Sequence, residues 1–533
     1  MRPKQYISFL SIVIARISLI VFASLVIPPH TFAAERHIGI SKESMSAWKD
    51  TIEGFPDKFK AAFQTPASSH YDLIKLRGQR QENASGPSTG TNTIERLADF
   101  EVINARSLRK ISSVPLRNVR LFSFTNSRFI PVPFDIIEYT DSGSLILSEG
   151  PEKNSRESDG VFSGNDKLFF MAADSGDMAK SEDLELLNAS DIQEISLASQ
   201  DGREKGWVYI AAYSKNPPEK SRLKYTYLEP DEFITYSPYY ITNKVPPNAM
   251  KRIRPEANQT NWAESPLIGG SGEVLNGFID MFIRIVFAFP FTMKWNENDF
   301  DLTWRAWYSG NVVSIIRVSW KISTPFGIGA PTMMTDVICS PFSITNINFV
   351  YTPFDPSILL KKSITTSGET LRKATSPGSS DVIVYDRQDK RNEVLNLKGT
   401  QQKNFELKKS DKSLWFIARN PAGTFMVRSM CDSYVMNSGS LSLTLSSQPG
   451  QTLSYYYTAE LKSFSTRQAG MYQEWTVIPS FNRSANPDNE DIRLVQKFRD
   501  NPLFIMLDGS RRFANEPIIH IPDIKREKSK YKY

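Results

Sequence analysis

Four oxygen-bearing side chains gather on one short loop. Glu157, Asp159, Asn165 and Asp166 surround two Gly-containing turns just ahead of the apolar run Leu168-Phe169-Phe170. Hard oxygens on a flexible loop are the chemistry of calcium, which takes about six to eight such ligands. The spacing is not that of an EF-hand, because the D-x-[DN]-x-[DN]-G run and its closing Glu are absent. Asp and Asn side chains also cap their own backbone in tight turns. The loop therefore has two readings, a calcium site and a structural turn. Asp141-Ser142-Gly143-Ser144 is a weaker turn of the same kind.

A second concentration is aromatic. Trp304, Arg305, Trp307, Tyr308, Arg317 and Trp320 lie close together around the turn Ser309-Gly310. Sugar rings stack on flat aromatic faces while a charged side chain fixes hydroxyls, the mixed lining usual for ligand sites. In an unbroken strand, residues of one parity share a face. That puts Trp304 with Tyr308 and Arg305 with Trp307. The same aromatics serve equally as core. Tyr236, Tyr239 and Tyr240, around Pro238, form a rival group.

The familiar catalytic templates fail. There is no H-E-x-x-H, no P-loop and no strand-G-x-G-x-x-G-helix unit. Gly269-Gly270-Ser271-Gly272-Glu273 misses G-x-S-x-G at its fifth position. A carboxylate-pair glycosidase needs only two acids at the right separation, which a chain with 58 Asp and Glu does not exclude. A lyase working through Tyr and Arg leaves no sequence signature either. Asp280, in the apolar run Val274–Pro290, is a candidate for a carboxyl raised by burial, or simply an ion-pair partner of Arg284. Those two charges also argue against a membrane span and for a buried strand.

These residues sit in a chain of ordinary globular balance, with 40% hydrophobic and 23% charged residues, so wholesale disorder is excluded. Aromatics at 12% favour strands. Two Cys and four His rule out a disulfide scaffold, a Cys-rich zinc fold and a multihaem protein. Arg2, Lys4 and Arg16, the apolar run Ile17–Ile27 and the small residues Thr31 and Ala33 follow the grammar of a signal peptide cleaved after Ala33. An uncleaved anchor is the alternative, but the run is too short for a span. Cleavage removes three basic residues from a net charge of +6. The near-neutral remainder gives no reason to expect nucleic acid. Export makes a Cys339–Cys431 disulfide conceivable, with two buried thiols as the alternative.

The elements that must position these side chains follow from periodicity. Trp48, Ile52, Phe55, Phe59 and Phe63 recur at helical spacing, broken at Gly54-Phe55-Pro56. Residues 80–93 read as a linker, and a short helix is expected over 94–109. From 111 the pattern becomes strands. Ser440–Ser446 alternates Leu with hydroxyls, then Pro449-Gly450 turns into Leu453–Tyr457. Leu414–Ala418 and Phe425–Val427 flank a turn at Asn420–Gly423 in the same way. The fold expected is all-β: a large β-sandwich or two sandwiches, with a short helical N-terminal region. Its divisions are 1–33 (signal peptide), 34–110 (helical and linker), 111–230 (first β part), 231–485 (larger β part) and 486–533 (C-terminal segment with a basic, solvated tail).

The stretch Ile130–Glu138, the Asp159-Gly160 loop and Leu168–Asp177 together spell a Pro-rich strand followed by DG-x-F…ND-x-L-x-F-M-A-x-D-x-GD. This resembles exported bacterial β-sandwich proteins that carry such a hairpin. Tyr308–Arg317 is similar to the start of a strand in sugar-associated super-sandwich domains. Both resemblances imply fold and compartment, and neither carries a catalytic residue onto this chain.

The expectation that follows is an exported, periplasmic or extracellular, non-catalytic binding or surface-structure protein. Its partner would be a polysaccharide or another cell-surface component, with no membrane span after cleavage and no cofactor beyond calcium. The binding residues expected are Trp304, Arg305, Trp307, Tyr308 and Arg317. A polysaccharide lyase or glycoside hydrolase on a β-sandwich is the alternative.

Overall fold

The structure, a computed structural model, describes residues 90–229 with few gaps and, up to Phe513, the strands that follow with some of their turns. Side chains are described chiefly over 90–228, 304–319, 334–347 and 503–507. The signal segment, the amphipathic 48–63 run, all the histidines, Tyr239, Tyr240 and the basic tail lie outside the described residues. The architecture is all-β, with antiparallel pairing throughout.

The first β part is a sandwich. A six-stranded sheet runs in the order Ser510–Phe513, Leu503–Leu507, Asp191–Ser199, Lys205–Ala212, Val119–Thr125, Arg128–Pro131. A three-stranded sheet places Lys167–Met171 between Phe100–Asn104 and Phe134–Ile137. Ile103, Phe134, Leu168 and Phe170 meet Leu121, Ile195, Leu197, Val208 and Ile210 in a continuous core between the sheets. The Lys205–Ala212 strand is buried on both faces, which is why its sequence reads as an uninterrupted apolar run. Its Trp207, Tyr209 and Ala211 enter a second cluster on the far face, with Phe122, Phe124 and Leu187.

Two results differ from the sequence reading. Residues 100–104 form a strand, not part of a helix. Glu101 and Ile103 are buried while their neighbours are half-buried, a period of two, and pairing with Lys167–Met171 overrides local propensity. Part of the C-terminal segment expected from 486 belongs to the first sheet. Leu503–Leu507 pairs with Asp191–Ser199, and its Leu503, Phe504, Ile505 and Leu507 are buried in the first sandwich.

Among the described residues the larger part forms two sheets of ten and nine strands. Both hairpins read from the sequence are present: Gly439–Ser447 pairs with Leu453–Leu461, and Leu414–Asn420 with Gly423–Cys431. The apolar run around Asp280 and Arg284 is the long strand Glu273–Val286. Among the described residues no helix is long and apolar enough to cross a membrane. The nine-stranded sheet begins with Phe300–Ser309, Ser314–Ile322, Thr332–Cys339 and Ser343–Tyr351, and this edge carries the aromatic candidates.

Candidate functional site: an indole pair at a sheet edge

The Phe300–Ser309 strand pairs with Ser314–Ile322, but the register slips between Trp304 and Ala306. Trp304 faces Val318, Ala306 faces Arg317 and Trp307 faces Ile316, so Arg305 is the extra residue of a β-bulge. Val318 and Ile316 are two apart and share a face. Trp304 and Trp307 therefore share it too, and their ring centroids lie 6.2 Å apart at 60°. The parity expected from an unbroken strand is overturned: Trp307 joins Trp304, while Tyr308 turns to the face of Arg317. The extra backbone unit at Arg305 is the reason.

The outer edge of this strand is covered by Glu149–Glu152. Glu149 and Trp307 exchange backbone hydrogen bonds at 3.1 and 2.9 Å, and the Glu152 amide donates to the Arg305 carbonyl at 2.8 Å. Gly150 permits this approach. Its φ is +101°, and a Cβ there would stand 2.8 Å from the Ala306 Cα. Side chains add to the contact. The Trp307 indole N–H donates to Glu149 Oε2 at 3.1 Å, and Arg305 Nη1 donates to Glu152 Oε1 at 2.7 Å. Arg305 Nε also donates to Ser319 Oγ at 2.7 Å. Trp304, Arg305 and Trp307 are half-buried, while Glu149 and Glu152 are exposed.

Tyr308 and Arg317 serve the opposite face. Arg317 grips Asp336 through two bonds of 2.7 and 2.9 Å in a nearly buried pair. The Tyr308 hydroxyl donates to Asp135 Oδ1 at 3.2 Å. Asp135 comes from the Phe134–Ile137 strand of the first sandwich and is itself wrapped by the turn after Ser309. The amides of Asn311, Val312 and Val313 donate to its carboxylate at 2.8, 2.7 and 2.9 Å. Gly310 makes room, because a Cβ there would lie 2.3 Å from Asp135 Oδ2. Burial pushes the Asp135 carboxyl up, and the amides and the Tyr308 hydroxyl pull it back toward the ionised form. Burial and the Asp135 charge likewise raise the Tyr308 hydroxyl well above its ordinary value. Tyr308 and the turn after Ser309 thus tie the second part to Asp135 of the first sandwich, while Arg317 ties two neighbouring strands of its own sheet.

The oxygen-rich loop is organised around its own backbone. Asp159 Oδ1 accepts the Val161 amide at 2.9 Å. Asp166 takes the Ser163 amide at 2.8 Å and the Tyr139 amide at 3.0 Å. Glu138 receives the Ser158 hydroxyl and the Gly160 amide. Burial raises the Asp166 carboxyl to about 6, helped by the charges of Glu138 and Asp159, while its two amides pull it down. Glu157 is exposed on a single 3₁₀ turn, and Asn165 is half-buried. Among the described residues no group of three His, Cys, Asp or Glu side chains is placed to hold a metal ion. These amide contacts are the ones a structural turn makes.

The two cysteines are not brought together. Cys431 stands opposite Met471, which stands opposite Asn348, which stands opposite Thr335. Cys339 is four residues beyond Thr335 on that strand, so the Cα atoms are three strands and four residues apart, roughly 20 Å. A disulfide needs them within about 7 Å. Cys339 is buried.

Sequence reasoning missed Glu149, Glu152, Asp135 and Glu138. Asp135 alone gave a signal, as a lone acid in the apolar strand Pro133-Phe134-Asp135-Ile136-Ile137. Glu149 and Glu152 sit in a polar stretch whose pairing with the strand edge is long-range.

No family model matches the chain, and no curated protein matches it. Solved structures that resemble it include the Slr1438 protein of Synechocystis, at 11% identity and TM-score 0.26, covering 50% of this chain and 99% of that one. Another is a kojibiose phosphorylase from the human microbiome, at 10% identity and TM-score 0.21, covering 51% of this chain and 37% of that one. A third is an aldose 1-epimerase of Klebsiella pneumoniae, at 9% identity and TM-score 0.20, covering 50% and 80%. The phosphorylase and the epimerase are so described from their assigned names, and at these scores the likeness carries no functional argument.

Proposed function

We propose that this protein is an exported binding protein whose ligand is a polysaccharide, held on the indole pair at the sheet edge. The observation that supports the reading is the bulge at Arg305. It turns Trp304 and Trp307 to one face, half-exposed, with the exposed carboxylates of Glu149 and Glu152 beside them. Indole faces stack on sugar rings, and fixed carboxylates accept hydrogen bonds from hydroxyls. Non-catalytic binding is favoured over hydrolysis because, among the described residues, the raised carboxyls Asp135 and Asp166 are engaged by backbone amides and Glu101 is buried in the first sandwich. A general acid needs its raised carboxyl at the substrate.

The test is retention of the purified protein on a panel of insoluble and soluble polysaccharides, with the chain length of each glycan measured afterwards. Retention with the glycan intact is the expected result. Trp307→Ala should weaken it about tenfold or more, the effect of losing a central aromatic anchor. Unchanged retention in Trp307→Ala and Trp304→Ala would overturn the site. Shortened glycan chains would overturn the non-catalytic part alone.

A further inference from the structure

The charges around the indole pair define a class of ligand. Arg305 is paired with Glu152 at 2.7 Å, and Arg317 is held by Asp336 on the other face. Lys224 donates to Ser309 Oγ at 3.2 Å, and both Asp135 and Glu149 act on its charge. The arginines of this edge thus already face carboxylates, and Lys153 beside Glu152 is exposed. Glu149 accepts from the Trp307 indole and is exposed, so it presents a negative charge beside the ring that a sugar would cover.

We infer that the indole pair selects neutral glycans and rejects uronate-containing ones, because its arginine is neutralised by Glu152 and its rim carries Glu149. The inference rests on the polysaccharide reading above and names the chemistry of that ligand. A uronate carboxylate at this edge would have to displace Glu152 from Arg305 and lie near Glu149, both unfavourable steps in a half-buried setting. A neutral hexose meets no such conflict. Its hydroxyls donate to Glu149 and Glu152, and its apolar ring face covers indole.

The experiment is native affinity electrophoresis of the full purified chain through gels containing neutral polymers (galactomannan, mixed-linkage β-glucan, dextran) or uronate polymers (alginate, polygalacturonate). Because the chain is basic overall, only retardation lost in Trp307→Ala counts as binding at this site. Retardation by at least one neutral polymer, at least tenfold stronger than by either uronate, is expected. The double variant Glu149→Gln/Glu152→Gln should narrow that ratio by exposing the Arg305 charge. Trp307-dependent retardation stronger with uronates would overturn the charge selection while leaving the polysaccharide reading standing. Trp307-dependent retardation by no polymer would overturn both. An unaltered ratio in the double variant would show that these carboxylates do not set selectivity.

Discussion

The loop around Asp159 and Asp166 and the sheet edge around Glu149 and Glu152 carry the same functional group and use it in different ways. The loop has the denser acidic sequence, yet Asp159 and Asp166 accept backbone amides two and three residues away, Asp166 taking that of Tyr139 as well. The edge has sparser acids, but they reach across more than 150 positions to the indole of Trp307 and the guanidinium of Arg305. Local density of carboxylates therefore marks a turn here. At the edge the acids meet partners from far along the chain while staying exposed, unlike Asp135, whose equally distant partners bury it.

The contrast breaks most easily at its innermost member. Asp135→Ala leaves two buried amides and one half-buried amide without an acceptor, and a loss on the order of 3–5 kcal/mol in denaturant unfolding is expected. A loss below about 1 kcal/mol would mean that the turn finds other acceptors.

The next largest effect is on pH dependence. Glu101 is buried beside Asp99 and Arg96, and burial first, then the Asp99 charge, raises its carboxyl to about 8. The unfolded carboxyl ionises near its ordinary value while the folded one keeps its proton. The stability contributed by this group is complete below that ordinary value and is lost as pH rises through about 8. Melting temperature should thus fall between acidic and mildly alkaline pH, and Glu101→Gln should flatten that fall. An identical slope in the variant would remove Glu101 as its source.

Smaller effects sharpen the comparison from both sides. Asp159→Ala removes one turn cap and should cost about 1 kcal/mol. Glu152→Gln breaks a partly exposed ion pair and should change stability by no more than about 0.5 kcal/mol while altering glycan selectivity. A Glu152→Gln more destabilising than Asp159→Ala would reverse the assignment of roles. Smallest of all, calcium or a chelator should leave the thermal melt unmoved, and a calcium-dependent shift would make the loop a metal site.

Strands and hairpins were legible because their signal is local: the Leu/hydroxyl alternation at 440–446 and the turn at Asn420–Gly423 each specify their pairing within a few residues. Trp304, Arg305 and Trp307 were legible as candidates by type. Their arrangement was not, because one unpaired residue at a bulge reverses the parity on which every face assignment downstream depends. Tyr308 and Arg317 were legible as polar groups in a strand, but nothing local said that Asp135 and Asp336 would take them. The strand at 100–104 was read as helix because its partner, Lys167–Met171, lies more than 60 residues on.

The pairing of Leu503–Leu507 with Asp191–Ser199 has a consequence in time. The Ser196 hydroxyl donates to the Met506 carbonyl, 310 positions away. At about 5–20 residues per second, a ribosome needs roughly 15–60 s to make the chain between them. Through that interval the Asp191–Ser199 strand has no neighbour on one side, the state in which strands recruit wrong partners. The six-stranded sheet of the first sandwich thus waits for a strand that the ribosome delivers 310 positions after Ser196. Its safe assembly therefore depends on the nascent chain being kept from closing early.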